Sequence, residues 1–335
     1  MALWSLSLLA AFTVSLGYGV RQKAALFDRL DTMSFLYPEA RSGIEAARGL
    51  MKAQDTTPLT DGLMDDWAQN KALFREVTLG ERGYFSVSYP VLKSGESAPV
   101  VYYGLVDEQS KININTSDAA TLTRVLQTAG GLDKDTAEEI AYCIIDWRDT
   151  DSTLEHPNYG AEEDYYTHLE TPYESKNAPF ETIDELLLVK GINRALFDKI
   201  KGFLTPFGPG AVNINTAPKE ILLALGIQEQ LVDRIINYRR GEDREERTAD
   251  DHYFAQATTI GTELNNVDKL TDADMAALNN LISSSQLGTS STHFMVKSRG
   301  VLSKNGAYVE MESVIDRKGK VFYLRTSNIQ WPSKA

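Results

Sequence analysis

The sequence predicts an α+β fold: a long amino-terminal helix, an antiparallel sheet domain, and a large helical domain inserted in the sheet domain. Two observations predict the insertion. Sequence of β character occurs at 83–107 and again at 294–331, and a mostly helical stretch, 112–288, lies between these regions. Because sheet domains bury one face against helices, strands on both flanks are expected to form one sheet with the helical part inserted.

The composition is that of a globular, acidic protein. The 335 residues are 42% hydrophobic and 24% charged, and the formal net charge is -13. This length allows one large core or two smaller ones. The net charge disfavours nucleic acid, whose binding depends on clustered Lys and Arg, and suits cations or basic partners. The only cysteine, Cys143, lies in an apolar stretch and is predicted to be a buried structural thiol.

The amino-terminal segment has no charged side chain over residues 1–20. Twenty helical residues span about 30 Å, the thickness of a bilayer core. A secretory signal peptide would need a basic n-region and a small-x-small cleavage motif, and neither is evident. The segment is therefore predicted to be a retained membrane helix. Arg21 and Lys23 follow the apolar stretch, which opposes export of the carboxyl side. A basic leader upstream of Met1 would remove this conflict.

A helical pattern continues beyond Arg21, so a single long helix with an apolar first half and an amphipathic second half is expected. Pro38 is expected to kink or interrupt it before it resumes towards Lys52. The apolar residues of this pattern recur at three-residue steps: Ala24, Phe27, Leu30, Met33 and Leu36.

Nearly the same hexapeptide occurs twice, as KININT at 111–116 and AVNINT at 211–216. Thr116 and Thr216 are predicted to cap the helices that follow. Each copy leads into a helical hairpin whose second helix ends in an aromatic residue and an arginine. A third, shorter hairpin is predicted at 182–200, with capping-box spacing between Thr182 and Glu185.

The glycine turns of these hairpins resemble those of helix-hairpin-helix modules, which bind DNA through backbone amides. Such turns generally need a second small residue, whereas Gly191-Ile-Asn and Gly226-Ile-Gln lack one. A membrane-anchored, competence-type DNA-binding protein is therefore the alternative function, disfavoured by the acidic composition.

The densest set of acidic residues lies between Asp146 and Glu170. Carboxylates spaced along a loop can supply the oxygen ligands that Ca²⁺ prefers. An EF-hand does not fit, because His156 occupies the place that requires Gly. From the residues alone, a metal site and a solvated acidic loop are equally open. His156 and His168 also raise a metal-dependent hydrolase, although their spacing matches no zinc motif.

The chain resembles the K-type minor pseudopilins of type II secretion systems, also called general secretion pathway protein K. The resemblance covers nearly the whole chain and rests on these segments in order: LW and LLAAF near the amino end, KININT, DWRDTDS followed by GAEEDYY, PYESKNAPFETIDELLLVKGI, and VNINTA. The basic leader and prepilin peptidase site of the family are not seen. The charged stretch 239–251 has no counterpart in the resemblance and is interpreted as a solvated loop.

The resemblance implies a pilin-like fold and a non-enzymatic protein at the tip of the pseudopilus. The implied partners are the I-type and J-type minor pseudopilins and the major pseudopilin. The implied location is the bacterial inner membrane, with a single pass and most of the chain in the periplasm. It also implies a structural Ca²⁺ held by Asp149, Asp151, Glu162 and Asp164, with Glu163 and Asp146 as further candidates.

The expected domain bounds follow from the residue patterns and from the family resemblance together. They are 1–20 for the membrane-spanning half of the helix, 21–55 for its remainder, 56–111 for the first part of the sheet domain, 112–288 for the inserted helical domain, and 289–335 for the strands that complete the sheet.

Overall fold

The computed structural model describes residues 2–54, 60–92 and 98–331, with side chains described from residue 4. Within these ranges, short 3-10 helices lie at Glu108–Ser110, Ile183–Leu188 and Ala257–Thr259. The α-helices of the described residues are α1 (Ala2–Ala53), α2 (Lys71–Phe74), α3 (Ala119–Thr128), α4 (Lys134–Arg148), α5 (Glu163–Thr167), α6 (Arg194–Ile200), α7 (Lys219–Ala224), α8 (Glu229–Arg239), α9 (Ile260–Val267) and α10 (Asp272–Ser283).

The strands of the described residues are short except near the carboxyl end. They are β1 (Val77–Thr78), β2 (Gly83–Val87), β3 (Tyr89–Val91), β4 (Val100–Tyr102), β5 (Val106–Asp107), β6 (Ile112–Asn113), β7 (Leu204–Thr205), β8 (Val212–Asn213), β9 (Leu287–Gly288), β10 (His293–Leu302), β11 (Tyr308–Asp316) and β12 (Val321–Gln330).

The main sheet joins strands from both flanks of the helical stretch, as predicted. Its order is β1-β2-β10-β11-β12, β5 also pairs with β10, and every pairing is antiparallel. Two hairpins join the carboxyl-terminal strands, β10 with β11 and β11 with β12, with Gly306 (φ 70°) and Gly319 (φ 73°) in their turns. Glycine suits both turns because a left-handed backbone conformation is costly for other residues.

The second half of α1 packs on this sheet. Its buried side chains follow three- and four-residue steps, as one face of a helix requires: Leu36, Ala40, Ile44, Ala47 and Met51. Two glycines permit the close approach. A Cβ on Gly43 would lie 2.2 Å from Ser298 Oγ, and a Cβ on Gly300 of β10 would lie 2.4 Å from the carbonyl oxygen of Leu36. The predicted long helix over an antiparallel sheet is confirmed.

The first half of α1 extends beyond the sheet with its apolar side chains exposed. The helix continues through Pro38, so the predicted interruption does not occur. Among the described residues, no helix meets the length and hydropathy required to cross a bilayer. The exposed apolar side chains include Trp4, Leu6, Leu8, Leu9, Phe12, Val14, Leu16, Val20, Phe27 and Leu30.

Residues 112–288, called the helical segment below, share one large buried core. The segment is not purely helical, so the prediction of an all-α insertion is not confirmed in that form. It contains two short parallel strand pairs, β6 with β7 and β8 with β9. Residues 112–205 and 212–288 form two structural copies, and each copy begins with a strand from one NINT motif. In each copy this first strand pairs with the strand at the end of the same copy.

The two copies use their second asparagine in the same way. Asn115 donates its Nδ2 to the carbonyl of Phe180 (2.9 Å) and accepts the Phe180 N–H (2.8 Å). Asn215 makes the same two bonds with Phe254, at 3.0 and 2.8 Å. The repeated hexapeptide therefore marks a repeated structure, in which an amide clamps a distant backbone segment beside the helical hairpin.

The predicted caps of these hairpins are wrong at both threonines. Asp118 caps α3, with its carboxylate accepting the N–H of Thr121 at 2.8 Å, and Pro218 is the N-cap residue of α7. Thr216 instead donates its hydroxyl to Asp107 at 2.5 Å. In the third hairpin the Thr182 N–H donates to Glu185 at 2.9 Å, as capping-box spacing predicted, although the first element is a 3-10 helix.

A buried polar junction connects the helical segment to the sheet. Asp107 at the end of β5 is fully buried and accepts hydrogen bonds from the hydroxyls of Thr216 and Ser291 and from the Gln109 N–H. Its pKa is raised to about 6, chiefly because burial removes water from the carboxylate. Arg317 of the β11–β12 turn donates to Asp61 and to the Ser291 carbonyl in the same junction.

Candidate metal centre

Three carboxylates converge where α4 ends. Asp146 lies in the last turn of α4, Asp149 is its C-cap residue, and Glu162 precedes α5. One oxygen atom from each lies within 4.8 Å of the other two. The three-residue spacing puts Asp146 and Asp149 on the same side of the helix, and the loop 150–161 returns Glu162 to them. These three residues are the carboxylate cluster.

Asp146 is held by the backbone of that loop. Its side chain is completely buried, Oδ1 accepts the Glu155 N–H at 3.1 Å, and Oδ2 accepts the Ala161 N–H at 2.9 Å. Gly160 makes the second contact feasible, because its φ is 113° and a Cβ there would lie 2.0 Å from Oδ2. The two amide donors fix the orientation of the carboxylate towards its neighbours.

Asp149 and Glu162 carry buried oxygen atoms that have no hydrogen-bond partner among the described residues: Oδ1 of Asp149 and both carboxylate oxygens of Glu162. Desolvation by burial, followed by repulsion from neighbouring carboxylates, raises the pKa of Asp149 to about 6 and that of Glu162 to about 7. The pKa of Asp146 is raised for the same first cause. Three unneutralised carboxylates repel one another unless a cation or protons offset their charge.

This donor set fits a hard divalent cation. Buried polar atoms in folded proteins are normally paired, so unpartnered carboxylate oxygens that face one another are suited to a positive ligand. Carboxylate oxygens are the preferred ligands of Ca²⁺. The negative end of the α4 dipole lies at the same place and adds to the attraction. Asp146, Asp149 and Glu162 would hold the ion, whose role there would be to neutralise charge and join α4 to the loop.

The other three predicted ligands lie outside this cluster. Asp151 is exposed and accepts the Thr153 N–H at 2.8 Å, although its charge still raises the pKa of Asp149. Glu163 accepts the N–H and hydroxyl of Ser175, each at 3.0 Å. The Asp164 side chain is 97% exposed.

The two histidines of this region do not join the cluster. His156 accepts the Asn158 N–H at 3.2 Å through Nδ1, and its ring stacks on Tyr159. His168 is exposed, and its Nδ1 lies 2.6 Å from the Asp164 carbonyl oxygen. These contacts do not favour a metal-dependent hydrolase, which would need a histidine as a metal ligand. Cys143 is buried as predicted, and burial raises the pKa of its thiol to about 12.

Asp146 was only a further candidate in the sequence analysis, whereas the structure places it in the carboxylate cluster. Its signal was its spacing from Asp149 within a predicted helix, together with a glycine in the returning loop. The family resemblance favoured Asp151 and Asp164 instead. A match of acidic residues along the sequence does not show which side chains point towards the cluster.

The glycine turns that suggested DNA binding are engaged within the chain. A Cβ on Gly191 would lie 2.8 Å from the Ile140 side chain. Arg124 donates to the Ala224 carbonyl at 2.6 Å, and its guanidinium lies 3.6 Å from the Cβ position of Gly226. These contacts do not favour the DNA-binding alternative, which remains a prediction.

Comparisons with known proteins find similarity over part of the sequence and over the fold of nearly the whole chain. The family model described as "Type II secretion system (T2SS), protein K" matches residues 103–207, the part that contains the carboxylate cluster. The resemblance to protein K is confirmed. Two curated relatives named type II secretion system protein K are similar over a comparable length. That of Pectobacterium carotovorum subsp. carotovorum is 33% identical over 114 residues, 33% of this chain and 34% of the relative.

The second relative, from Aeromonas hydrophila, is 31% identical over 133 residues, 37% of this chain and 40% of the relative. The chain therefore matches less than half the length of either protein K sequence. A solved chain from the GspK-GspI-GspJ complex of the enterotoxigenic Escherichia coli type 2 secretion system covers far more. It matches 92% of this chain and 99% of its own length with a TM-score of 0.64, at 19% identity, which shows a shared fold.

Proposed function

We propose that this protein is a non-enzymatic minor pseudopilin at the tip of a type II secretion pseudopilus, where it helps to start and cap assembly and so supports export of folded proteins. The observation that carries the proposal is the combination of the protein K match at 103–207 with a long helix packed on an antiparallel sheet. The helix supplies a surface for neighbouring helices, and the helical segment adds bulk that a fibre subunit does not need.

The proposed partners are the I-type and J-type minor pseudopilins, with the major pseudopilin below them. The similar solved chain comes from a complex named for three such proteins, which supports this choice. The test is co-expression of the full chain with the I-type and J-type proteins of the same genome, followed by affinity purification in detergent. A stoichiometric ternary complex is expected. A chain that elutes alone under conditions where the other two associate would contradict the proposal.

The proposed location is the inner membrane, with most of the chain in the periplasm. Its support is the apolar first half of α1, whose side chains have no cover from the sheet; Trp4, Leu8 and Val14 are each more than 70% exposed. Burying such surface is worth about 25 cal/mol per Å², so it is expected to find an apolar environment. Carbonate extraction of membranes tests this: the full chain should remain in the pellet, and a variant lacking residues 2–20 should be released.

The helical segment is proposed to be the inserted domain that blocks further growth of the fibre. It enters after β5 and returns to the sheet through β10, so it is held at both ends. The Asp107–Thr216 hydrogen bond and the Asn213 side chain, which donates to the Asp61 carbonyl at 3.1 Å, support a fixed attachment. A chain without 112–288 should still join its partners but fail to stop elongation in an assembly assay.

The carboxylate cluster is proposed to hold a structural Ca²⁺. The support is local: three converging carboxylates, three of whose buried oxygens lack partners in the described part of the chain. The ion would stabilise the loop 150–161 and through it the first structural copy, with no part in a reaction.

A further inference from the structure

A short stretch of chain beyond α5 runs beside the carboxylate cluster. Ser175 donates its N–H and its hydroxyl to the Glu163 carboxylate, each at 3.0 Å, and Glu163 directly follows the cluster residue Glu162. Two positions later, Asn177 donates its Nδ2 to the Ser152 hydroxyl at 3.3 Å. Ser152 lies in the loop that returns Glu162 to the other two carboxylates. This stretch therefore contacts the chain next to Glu162 and again within that loop.

The Asn177 side chain has a buried oxygen atom that makes no hydrogen bond. Its Oδ1 has no partner among the described residues, although its Nδ2 is bonded. Within the helical segment, all of which is described, buried side-chain oxygens of this kind occur only at Asp149, Glu162 and Asn177. The first two residues belong to the cluster, and the third is bonded to its loop. Because such atoms are normally paired, their concentration at one place indicates a shared binding role.

The position of Asn177 is fixed from both sides. Its φ is 45°, in the left-handed region that asparagine adopts more readily than most residues other than glycine. On the amino side, Ser175 is bonded to Glu163. On the carboxyl side, Phe180 is held by the Asn115 clamp through two hydrogen bonds. A ligand atom that is already held in place loses less entropy when it binds.

The basic side chains closest in sequence to the cluster and to Asn177 are engaged elsewhere. Lys176 pairs with Glu185 at 2.7 Å, and Lys190 pairs with Glu139 at 3.0 Å. Arg148 donates to a backbone carbonyl of the first hairpin at 2.6 Å. These three cations do not bond to the unpartnered oxygens, so the oxygens converge without a basic side chain of this group between them.

We propose that Asn177 supplies its Oδ1 as a further ligand to the Ca²⁺ of the carboxylate cluster; this inference rests on the ion proposed above. Ca²⁺ binds about six to eight oxygen atoms and accepts asparagine carbonyls alongside carboxylates. Both oxygens of Asp146 already accept backbone N–H groups, so further ligands are needed. A neutral ligand adds coordination without adding to the repulsion among the carboxylates. The ion would then join α4 and its loop to the clamped stretch before Phe180.

The test is calorimetric titration of the full chain in detergent with Ca²⁺, after metal has been removed with chelator. Asn177→Gly removes the oxygen and suits a φ of 45°. It should weaken Ca²⁺ affinity by about tenfold or more, with little change of melting temperature in chelator. Asn177→Asp keeps an oxygen at this place and should retain most of the affinity. The matched control is Asn158→Gly, an exposed asparagine of the same loop whose bond to His156 uses its backbone N–H. It should bind Ca²⁺ as the unchanged chain does.

A second measurement separates ligation from a structural role. Tb³⁺ occupies Ca²⁺ sites, and its luminescence lifetimes in H₂O and D₂O count the water molecules bound to the ion. The Asn177→Gly variant should bind about one more water than the unchanged chain, because water replaces the lost ligand. Ser152→Ala removes only the hydroxyl that Asn177 Nδ2 contacts, and it should change neither the affinity nor the water count.

Three results would contradict the inference in different ways. Equal affinity and equal water count in Asn177→Gly and the unchanged chain would remove Asn177 from the site and leave the Ca²⁺ of the carboxylate cluster in place. An equal loss of affinity in the glycine and aspartate variants and in Ser152→Ala would assign the effect to the contact with Ser152. No saturable Ca²⁺ binding by the unchanged chain would overturn both the ion and this ligand.

Discussion

Asp149 ends α4 in the first structural copy, Arg240 ends the corresponding helix α8 in the second copy, and the two residues carry opposite charges. Each is the C-cap residue, directly after an arginine that donates to the first hairpin of its copy: Arg148 to the Ser117 carbonyl at 2.6 Å and Arg239 to the Ala217 carbonyl at 2.6 Å. In the second copy positive side chains face the Glu246 carboxylate. At the corresponding place in the first copy, the carboxylates of Asp146, Asp149 and Glu162 converge on one another, so this copy is the one expected to require a cation.

Calcium should therefore raise the stability of the chain through the carboxylate cluster. At a free concentration one hundred times the dissociation constant, a single bound ion contributes about 2.7 kcal/mol, which corresponds to a rise in melting temperature of roughly 5 °C. Scanning calorimetry with Ca²⁺ and with chelator measures this rise. The double variant Asp149→Asn with Glu162→Gln should show no rise.

The matched control for this experiment is Asp164→Asn, which removes one acidic charge from a side chain that is 97% exposed. It should respond to Ca²⁺ as the unchanged chain does. If Asp164→Asn abolished the response and the Asp149 and Glu162 substitutions did not, the ion would be bound by the exposed residues that motif resemblance favoured.

Asp107 should make stability depend on pH. Its pKa is raised from 3.8 to about 6 in the folded state, so the folded state binds this proton more tightly than the unfolded state does. The contribution is fully present below about pH 4 and is lost as pH rises through 6. Two pKa units correspond to about 3 kcal/mol. Urea unfolding at pH 4.5, 5.5, 6.5 and 7.5, with Ca²⁺ present, measures the change.

The variant Asp107→Asn isolates this effect, because asparagine does not titrate. The difference in unfolding free energy between the variant and the unchanged chain should vary across the series by a large part of that amount. A difference that is constant with pH would show that the junction carries no titrating group, whatever the absolute stability of the variant.

Two glycines of α1 should respond in opposite directions to the same substitution. A Cβ on Gly43 would lie 2.2 Å from Ser298 Oγ and 2.9 Å from the Phe85 ring, so Gly43→Ala should cost about 1 to 3 kcal/mol. Gly49 is exposed on the same helix with nothing within 4 Å, so Gly49→Ala should stabilise by about 1 kcal/mol. Urea unfolding of both variants tests the pair; equal signs would mean that α1 does not approach the sheet this closely.

The asparagine clamps should differ in strength. Asn215 is 3% exposed, whereas Asn115 is half-buried. Asn215→Ala leaves the Phe254 N–H and carbonyl without partners in a dry setting, at a cost of about 2 to 4 kcal/mol. Water can partly replace the bonds lost in Asn115→Ala, so its cost should be smaller. Chemical denaturation ranks the two, and a larger loss at Asn115 would contradict the assignment.

Periodicity and local signals were sufficient for much of the fold. The continuation of α1 beyond Arg21 follows from helical spacing, and the strands at both flanks of the helical segment follow from the β character of 83–107 and 294–331. Both signals depend on neighbouring residues only. The repeated hexapeptide likewise predicted a repeated structure. These features are local, so the sequence displays them directly.

Features that depend on distant residues were not predictable in this way. Thr216 was expected to cap a helix, but its hydroxyl donates to Asp107, which is 109 positions away. Which acidic side chains the loop turns inward depended on the conformation of Gly160, and no local pattern distinguishes the buried Glu162 from the exposed Asp164. Tertiary contacts select among candidates that look alike in the sequence.

The unbroken course of α1 has a mechanical consequence. At about 1.5 Å per residue its 52 residues form a rod of roughly 78 Å, and no loop separates the exposed end from the end that rests on the sheet. A force applied near Trp4 is thus transmitted along the helix axis to the contact between Gly43 and the sheet. From there it passes through the strands to the helical segment. A displacement of the exposed end of α1 is therefore expected to displace the end that packs on the sheet.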